Sequence, residues 1–239
     1  MRRPNMTRNK KLMIILVVVL AVGVVATTVG LTSAYWIGAS GDSEVAPQTD
    51  TTDWNYYIKY FIYEPIKNAS GVVQSYKIVG FDGAVIEDVV VPRRVYGTIK
   101  VKEGDTVSTV DLGSGVYFPV TELGNSTFAD TTDKAVPVTL TLPTSVSVEP
   151  GALMGLSNLA ELIVIHVQNF AGNAEVSAID IGGQYALIGC NSLQKIVVKG
   201  DVTINGYAVS SAIASANSSV LNGLKTYLAA PSTTEFEAQ

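Results

Sequence analysis

Two ten-residue stretches of this chain share one order of residue classes. Residues 155–164 read GLSNLAELIV, and residues 189–198, thirty-four positions later, read GCNSLQKIVV. Each begins with a glycine and a residue of buried type, continues with two small polar residues and a leucine, and ends in an aliphatic run. Such a recurrence predicts stacked structural units, in which each unit buries its apolar side chains against the next. The duplication constrains the architecture strongly and says little about chemistry.

The repeat can be followed outward from these two copies. Phe128, Leu153, Leu187 and Val209 take equivalent places, at spacings of 25, 34 and 22 residues. Two of the three spacings fall within the range of about 20 to 29 residues that is typical of leucine-rich repeats. The polar segment 167–175 explains the longer spacing as an insertion after a strand, where solenoids accept loops.

The repeated residues resemble the BspA-like leucine-rich-repeat family of bacterial surface proteins, whose pattern is approximately I-G-x-x-A-F-x-G-C-x-x-L-x-x-I-x-I-P. The matching stretches are ALMGLSNLAEL at 152–162, ALIGCNSLQKI at 186–196 and a shorter LG…F match at 123–128. The resemblance covers residues 76–228, and the register is interrupted at 96–115 and 167–175. It implies an exported surface solenoid associated with adhesion or protein binding, and it implies no catalytic residue.

The N-terminal part carries a second signal. Residues 1–11 are basic, and residues 12–31 contain no charged side chain. At about 1.5 Å per residue the second segment would form a helix about 30 Å long, enough to cross the hydrocarbon core of a membrane. The positive-inside rule then predicts a cytoplasmic N-terminus and an exported remainder. We expect the segment to stay as a signal-anchor; the alternative is a long signal peptide cleaved near the small residues 32–34, which would make the protein secreted.

The rest of the chain divides by composition and pattern. Residues 32–53 predict a flexible spacer because they are rich in Gly, Ser, Thr and Asp. Residues 54–119 predict an N-terminal β region or cap, residues 120–228 a leucine-rich-repeat-like solenoid, and residues 229–239 a C-terminal tail. The predicted fold class is therefore mainly β: a short leucine-rich-repeat solenoid, with a β-strand plus a turn or short helix per repeat, preceded by one transmembrane helix.

Charge argues against nucleic acid as a partner. The chain has 16 basic and 21 acidic side chains, and five of the basic ones lie before residue 12. The remainder therefore carries 11 basic and 21 acidic side chains, a net charge of −10. A body with this charge is repelled by a polyanion. The predicted partners are a membrane, through residues 12–31, and an extracellular protein or glycan.

Few side chains are candidates for chemistry. The only cysteine, Cys190, takes the place that Leu156 has in the other copy, so we expect a buried core thiol rather than a nucleophile. The only histidine, His166, follows the predicted strand 162–165 and has no second histidine with which to hold a metal. Nucleotide-binding glycine loops, calcium loops and serine-nucleophile elbows do not occur. We therefore predict no enzymatic activity, no cofactor and no metal site.

The predicted function is binding, through the sheet face or the inserted loop after His166. The alternative is a structural component of the cell envelope built from β-sandwich modules, with the repeat similarity accidental. Stacked units would place Leu123, Val148 and Ile204 at corresponding positions, whereas a sandwich would divide residues 120–198 between two facing sheets. The aromatic residues within 54–63 could stack on sugar rings, but a strand that covers the core is the simpler interpretation.

Overall fold

The computed structural model of the chain describes residues 56–82, 87–129, 137–168, 175–210 and 219–239. These residues form β-strands, a 3-10 turn at Ile58–Tyr60 and the helix α1 at Ser219–Leu228. In chain order the strands are β1 (Phe61–Lys67), β2 (Val73–Phe81), β3 (Asp88–Val90), β4 (Arg94–Tyr96), β5 (Thr98–Glu103), β6 (Thr106–Asp111), β7 (Tyr117–Leu123), β8 (Thr139–Pro143), β9 (Ser147–Val148), β10 (Glu161–Ile165), β11 (Val167–Gln168), β12 (Glu175–Val176), β13 (Ala178–Ile179), β14 (Lys195–Lys199), β15 (Val202–Ile204), β16 (Tyr207–Val209) and β17 (Glu235–Ala238).

Five strands form a parallel sheet whose spatial order, β3-β8-β10-β14-β17, follows the chain order. The aliphatic ends of the two ten-residue copies are β10 and β14. Glu161 pairs with Lys195 and Val164 pairs with Val198, so residues thirty-four positions apart lie side by side. The sequence duplication is therefore a pair of neighbouring parallel strands in register.

A second, mixed sheet has the order β4-β7-β2-β1-β5-β6, with β9 beside β7. The pairs β1–β2 and β5–β6 are antiparallel, whereas β1–β5 and β2–β7 are parallel. Two small sheets complete the fold, one of β11 and β12 and the other of β13, β15 and β16. A short turn connects β5 to β6 and uses Gly104 at a φ of 60°, which glycine adopts without strain.

The buried apolar side chains form one core cluster that joins the parallel sheet to the mixed sheet. In β10 and β14 alternate residues belong to this cluster, as the period of two in a strand requires. Leu162, Val164, Ile196 and Val198 of the parallel sheet are fully buried. Helix α1 contributes leucines at a spacing of three and four residues, Leu221, Leu224 and Leu228. Each such side chain stabilises the fold by about 1.5–3 kcal/mol relative to an exposed one.

The prediction of a short leucine-rich-repeat solenoid is wrong. Successive strands of the parallel sheet begin at paired residues Asp88, Thr139, Glu161, Lys195 and Glu235, which are 51, 22, 34 and 40 positions apart. Only one of these spacings falls within about 20 to 29 residues. Antiparallel pairs also interrupt the stacking, so the strands belong to mixed and parallel sheets rather than to a regular repeat. The ten-residue similarity reflects one pair of strands and not a period of the whole fold.

The strand pairing agrees in part with stacked units and in part with a sandwich. Leu123 pairs with Val148, and Ile179 pairs with Ile204, as stacking would require. The strands between residues 120 and 198 are nevertheless divided, because β7 and β9 belong to the mixed sheet and β8, β10 and β14 to the parallel sheet. The feature of the predicted fold class that describes the structure is its mainly β character.

The predicted transmembrane segment, residues 12–31, and the spacer, residues 32–53, lie outside the described residues. Across the ranges that the structure does describe, helices are too short or too polar to span a membrane. The transmembrane helix in the predicted fold class therefore has no counterpart among these residues. Within the segment predicted as a C-terminal tail, residues 235–238 form β17 at the edge of the parallel sheet.

Candidate functional site

An open groove of about 520 Å³ lies where helix α1 meets the loop before β14 and the hairpin of β15 and β16. Three tyrosines line it, Tyr185, Tyr207 and Tyr227. Three uncharged polar side chains lie among them, Gln184, Asn222 and Thr226, together with the backbone of Gly223. Ligand sites of this volume combine aromatic walls with a few polar groups that fix the orientation of the ligand.

Helix α1 presents its polar side to the groove because its leucines are committed to the core. Leu221, Leu224 and Leu228 are buried, which leaves Asn222 and Thr226 exposed and one turn apart. The Thr226 hydroxyl donates a hydrogen bond to the Asn222 carbonyl oxygen over 2.9 Å. The carboxamide of Asn222 and the hydroxyl lone pairs of Thr226 can therefore face a ligand from one helix surface.

The rings of Tyr207 and Tyr227 pack against each other, with centroids 5.8 Å apart and planes tilted by 49°. Gly223 permits this arrangement. A Cβ atom on Gly223 would lie 3.2 Å from Cε1 of Tyr207, closer than side chains ordinarily approach. A glycine within a helix costs about 1 kcal/mol relative to alanine. In return, the ring of Tyr207 can lie directly against the helix.

Tyr185 has a left-handed backbone, with a φ of 65°. This conformation costs an L-residue other than glycine or asparagine about 1–2 kcal/mol. Thirty-four positions earlier, in the other copy of the repeat, the equivalent residue is Gly151, with a φ of 90°. The chain thus carries a tyrosine where the local backbone favours glycine. Strained residues of this kind concentrate at functional sites.

Neighbouring backbone holds the strained residue in place. The Tyr185 amide donates to the Tyr227 carbonyl over 2.8 Å, and the Tyr185 carbonyl accepts from the Ile188 amide over 3.0 Å. Leu187 donates to Leu228 over 2.9 Å, which joins the loop to the end of α1 a second time. The Tyr185 side chain is 51% exposed despite this fixed backbone. A large aromatic group is therefore held in solvent on a rigid base.

The groove is electrically neutral in its lining. Among the described residues that form it, none is a carboxylate, a lysine, an arginine or a histidine. Amide and hydroxyl groups both donate and accept hydrogen bonds. The lining can therefore orient an uncharged polar ligand.

Cys190 and His166, the two reactive residues singled out in the sequence, lie apart from each other. His166 follows the C-terminal end of β10, whereas Cys190 precedes the N-terminal end of the neighbouring parallel strand β14. Neither lines the groove. In the described part of the chain, the His166 ring Nε2 is buried without a hydrogen-bond partner. The loop after His166 that was expected to bind a partner includes residues 169–174, which lie outside the described residues.

The thiol of Cys190 belongs to the core. It is 1% exposed and donates a hydrogen bond to the Leu153 carbonyl over 3.1 Å. Burial raises the pKa of the Cys190 thiol to about 11. The nucleophilic form of cysteine is the thiolate, so this side chain stays unreactive at neutral pH. Leu156, its counterpart in the other copy, is also buried.

The described part of the aromatic segment 54–63 mainly covers the core. Phe61 and Tyr63 are fully buried, and the Tyr63 hydroxyl donates to the Ile58 carbonyl over 3.0 Å. Tyr56 is 47% exposed, but Lys59 Nζ lies 4.6 Å from its ring centroid. Its hydroxyl also accepts a hydrogen bond from the Tyr60 hydroxyl over 3.1 Å. Tyr56 is thus an exposed tyrosine outside the groove, and its ring and hydroxyl group contact Lys59 and Tyr60.

The described ranges were also compared with the side-chain groupings that metal ions require. In those ranges, no three His, Cys, Asp or Glu side chains are grouped so as to hold a metal ion. The carboxylate of Asp180 makes hydrogen bonds within the protein. It accepts from Asn205 Nδ2 and from the amides of Gly182 and Gly183, at 2.7–2.9 Å. These contacts fix a turn.

Sequence reasoning missed the groove because its residues come from three separated segments. One signal was nevertheless available in the aligned copies, namely a tyrosine at position 185 opposite a glycine at position 151. An exchange of glycine for a large aromatic residue at a turn is conspicuous when the two copies are otherwise so similar.

Fold alone does not establish function, because unrelated functions occur on one fold and depend on the residues of the site. The similarity to BspA-like repeats stays a prediction from the motifs that carry it. Comparison of the chain with models of protein families, with curated proteins and with solved structures finds no match.

Proposed function

We propose that this protein is a binding module that acts outside the cytoplasm and holds a protein or glycan partner in the tyrosine-lined groove. The observation that carries the proposal is Tyr185, a half-exposed aromatic residue on a strained backbone at a position where the other copy has glycine. Such strain persists where the surrounding structure enforces it, and it is typical of ligand contacts.

The lining supports binding rather than catalysis. Its described side chains are tyrosines, carboxamides and a threonine hydroxyl. Tyrosine provides a large contact area with few rotatable bonds, and its hydroxyl group can meet a polar ligand. The cysteine thiol, which could act as a nucleophile elsewhere, is buried in the core.

The N-terminal sequence supports the location. A basic segment at 1–11 followed by twenty residues without a charge is typical of an export signal. Protease treatment of intact cells that express the full chain tests this location. We expect external protease to digest the groove region, and fractionation to show whether the chain stays with the membrane or enters the medium. Protection of the whole chain in intact cells would contradict the location.

Binding is tested with the full chain, purified in a mild detergent, on a printed array of surface proteins and glycans. We expect at least one saturable interaction that is lost in the double variant Tyr185→Ala, Tyr227→Ala. Tyr56→Ala is the matched control, because it removes a tyrosine of similar exposure outside the groove. Absence of saturable binding, or binding that the double variant retains in full, would favour the structural envelope component instead.

A further inference from the structure

Resting on the proposed binding function, we infer that the groove binds one residue of a neutral glycan, a pyranose ring stacked on a tyrosine. Three of its seven lining residues are tyrosines, Tyr185, Tyr207 and Tyr227. A pyranose has apolar C–H faces and a rim of hydroxyl groups. Its faces pack on aromatic rings, and its rim requires groups that both donate and accept hydrogen bonds.

The polar side chains of the groove meet that requirement. Gln184 and Asn222 each offer a carbonyl acceptor and two N–H donors, and Thr226 offers a hydroxyl group. Gln184, Asn222 and Thr226 are all exposed, so their hydrogen-bonding groups are available to a ligand. They flank the tyrosines on two different elements, the loop before β14 and helix α1.

Charge selects a neutral sugar over an acidic one. The described lining has no cation that could pair with a uronate or a sialate carboxylate. Beyond residue 11 the chain carries 11 basic and 21 acidic side chains, so its overall field repels anions. A glycan without carboxylate or sulfate groups avoids both penalties.

The composition and openness of the groove favour a sugar over a protein side chain. The described residues of the groove include no leucine, isoleucine, valine or methionine, the residues that would shape an apolar pocket for a buried peptide anchor. The groove is also open to solvent, so a single ring can enter while the rest of the glycan continues outside. Its volume of about 520 Å³ lies within the range of small-molecule sites.

The backbone of Tyr185 and the ring of Tyr207 are held in place by their neighbours. Tyr185 is held by its bond to the Tyr227 carbonyl, and Tyr207 lies against Gly223. A preformed site loses little conformational freedom on binding, and such rigidity matters for weakly binding ligands such as single sugar residues. Tyr185 is exposed, whereas Tyr207 and Tyr227 are half-buried, so Tyr185 is the tyrosine that we assign to stacking on the sugar.

Affinity electrophoresis of the full chain in gels containing soluble polysaccharide tests the inference. The neutral probes are mannan, galactan and a mixed-linkage β-glucan, and the acidic probes are polygalacturonate and hyaluronate. We expect retardation by at least one neutral probe, unchanged when the salt concentration rises from 50 to 500 mM, and none by the acidic probes. Retardation by acidic probes alone, or by no probe at all, would overturn the inference.

The decisive variant is Tyr185→Gly, which restores the residue found at Gly151. Because glycine suits the left-handed backbone, the variant should unfold at the same or a higher urea concentration than the unaltered chain. We expect it to bind the neutral probe at least tenfold more weakly, and Asn222→Ala to bind it several-fold more weakly. Tyr56→Ala should bind normally. Full binding by Tyr185→Gly would overturn the inference.

The outcomes also separate this inference from the function on which it rests. If the array identifies a protein ligand that requires Tyr185 and Tyr227 while no neutral polysaccharide binds, the groove is a binding site and the sugar assignment is wrong. If neither proteins nor glycans bind, the binding function itself fails.

Discussion

Gly189 lies against the backbone of Gly155. A Cβ atom on Gly189 would come within 3.1 Å of the Gly155 Cα and 3.3 Å of its nitrogen. The two glycines begin the two copies of the repeated stretch, and both have positive φ values, 82° and 75°. The Gly155 amide donates to the Ile188 carbonyl over 2.9 Å, so the two loops touch along their backbones. Close contact between the copies thus depends on a missing side chain.

We expect Gly189→Ala to lower the free energy of unfolding by about 2–4 kcal/mol, the sum of left-handed strain and overpacking. Gly155→Ala is the matched control, because its φ is similar and a Cβ there would meet nothing within 4 Å. Its loss should be the strain alone, about 1–2 kcal/mol. Urea unfolding of both variants measures the difference. Equal losses would show that the contact between the glycines contributes nothing.

The ion pair of Lys77 and Glu149 should make stability depend on acid pH. Lys77 Nζ lies 2.5 Å from Glu149 Oε1, and the Asn125 amide donates to Oε2 over 3.1 Å. The hydrogen bond from Lys77, followed by that from the Asn125 amide, lowers the pKa of Glu149 below its usual 4.5. The stabilisation is therefore present above about pH 4.5 and disappears as the pH falls through the lower folded-state pKa.

Glu149→Gln should reduce stability by about 0.5–1 kcal/mol at pH 7, a range suited to a partly exposed pair. The gap between the variant and the unaltered chain should narrow as the pH falls below about 4.5. Urea unfolding at pH 7 and pH 3 measures it. Glu103→Gln is the control, because Glu103 and its partner Lys67 are largely exposed, and we expect no measurable change there. A gap that persists at pH 3 would refute the ionic explanation.

Cys190 should resist thiol reagents in the folded protein. The thiol is buried, and its pKa is raised to about 11 by that burial. We expect an aromatic disulfide reagent at pH 8 to react only at the rate of unfolding, and at once in 8 M urea. Rapid labelling of the folded chain would contradict the burial of this residue.

The same burial predicts a loss of stability in alkali. Between the unfolded value of about 9 and the folded value of about 11, the unfolded thiol releases its proton and the folded thiol does not, so unfolding is favoured as the pH rises. Cys190→Val removes this dependence and conserves the apolar volume. Stability measured between pH 8 and 10 should fall more steeply for the unaltered chain than for the variant. Parallel curves would contradict the effect.

The Tyr63 hydroxyl should contribute a measurable hydrogen bond. Tyr63 is fully buried, and its hydroxyl donates to the Ile58 carbonyl over 3.0 Å. Tyr63→Phe keeps the ring and should cost about 1 kcal/mol by removing this buried hydrogen bond, although the Ile58 carbonyl still accepts from the Phe61 amide. Tyr56→Phe also removes a bonded hydroxyl, but at an exposed ring where water replaces it, so it should be neutral. Thermal and urea unfolding of the two variants compare these effects.

The order of residue types along the chain was enough to predict those features of the fold that depend on neighbouring residues. The mainly β character and the equivalence of Cys190 with Leu156 are both visible in the alternation and order of residues. The structure pairs the two copies in register, from Glu161 with Lys195 to Ile165 with Lys199. The error was to extend one matched pair into a period. A repeat requires equal connections, and the connection from β3 to β8 is much longer than that from β8 to β10.

Long-range contacts decide what the sequence left open. Strand β17 has the pattern Glu-Phe-Glu-Ala, too short and too charged to stand out, and it forms because Phe236 pairs with Ile196 forty positions earlier. The groove is similar in this respect. Tyr185, Tyr207 and Tyr227 are separated by about twenty residues at each step, and only tertiary packing brings them to the lining of one groove.

The agreement between chain order and strand order in the parallel sheet has a mechanical consequence. A pull on the C-terminus acts first on β17, the last strand of the chain, which pairs with β14 at the edge of the parallel sheet. Helix α1 comes next along the chain, before the pull reaches β14 and β10. We therefore expect such a pull to disturb the α1 residues that line the groove before it separates the inner strands.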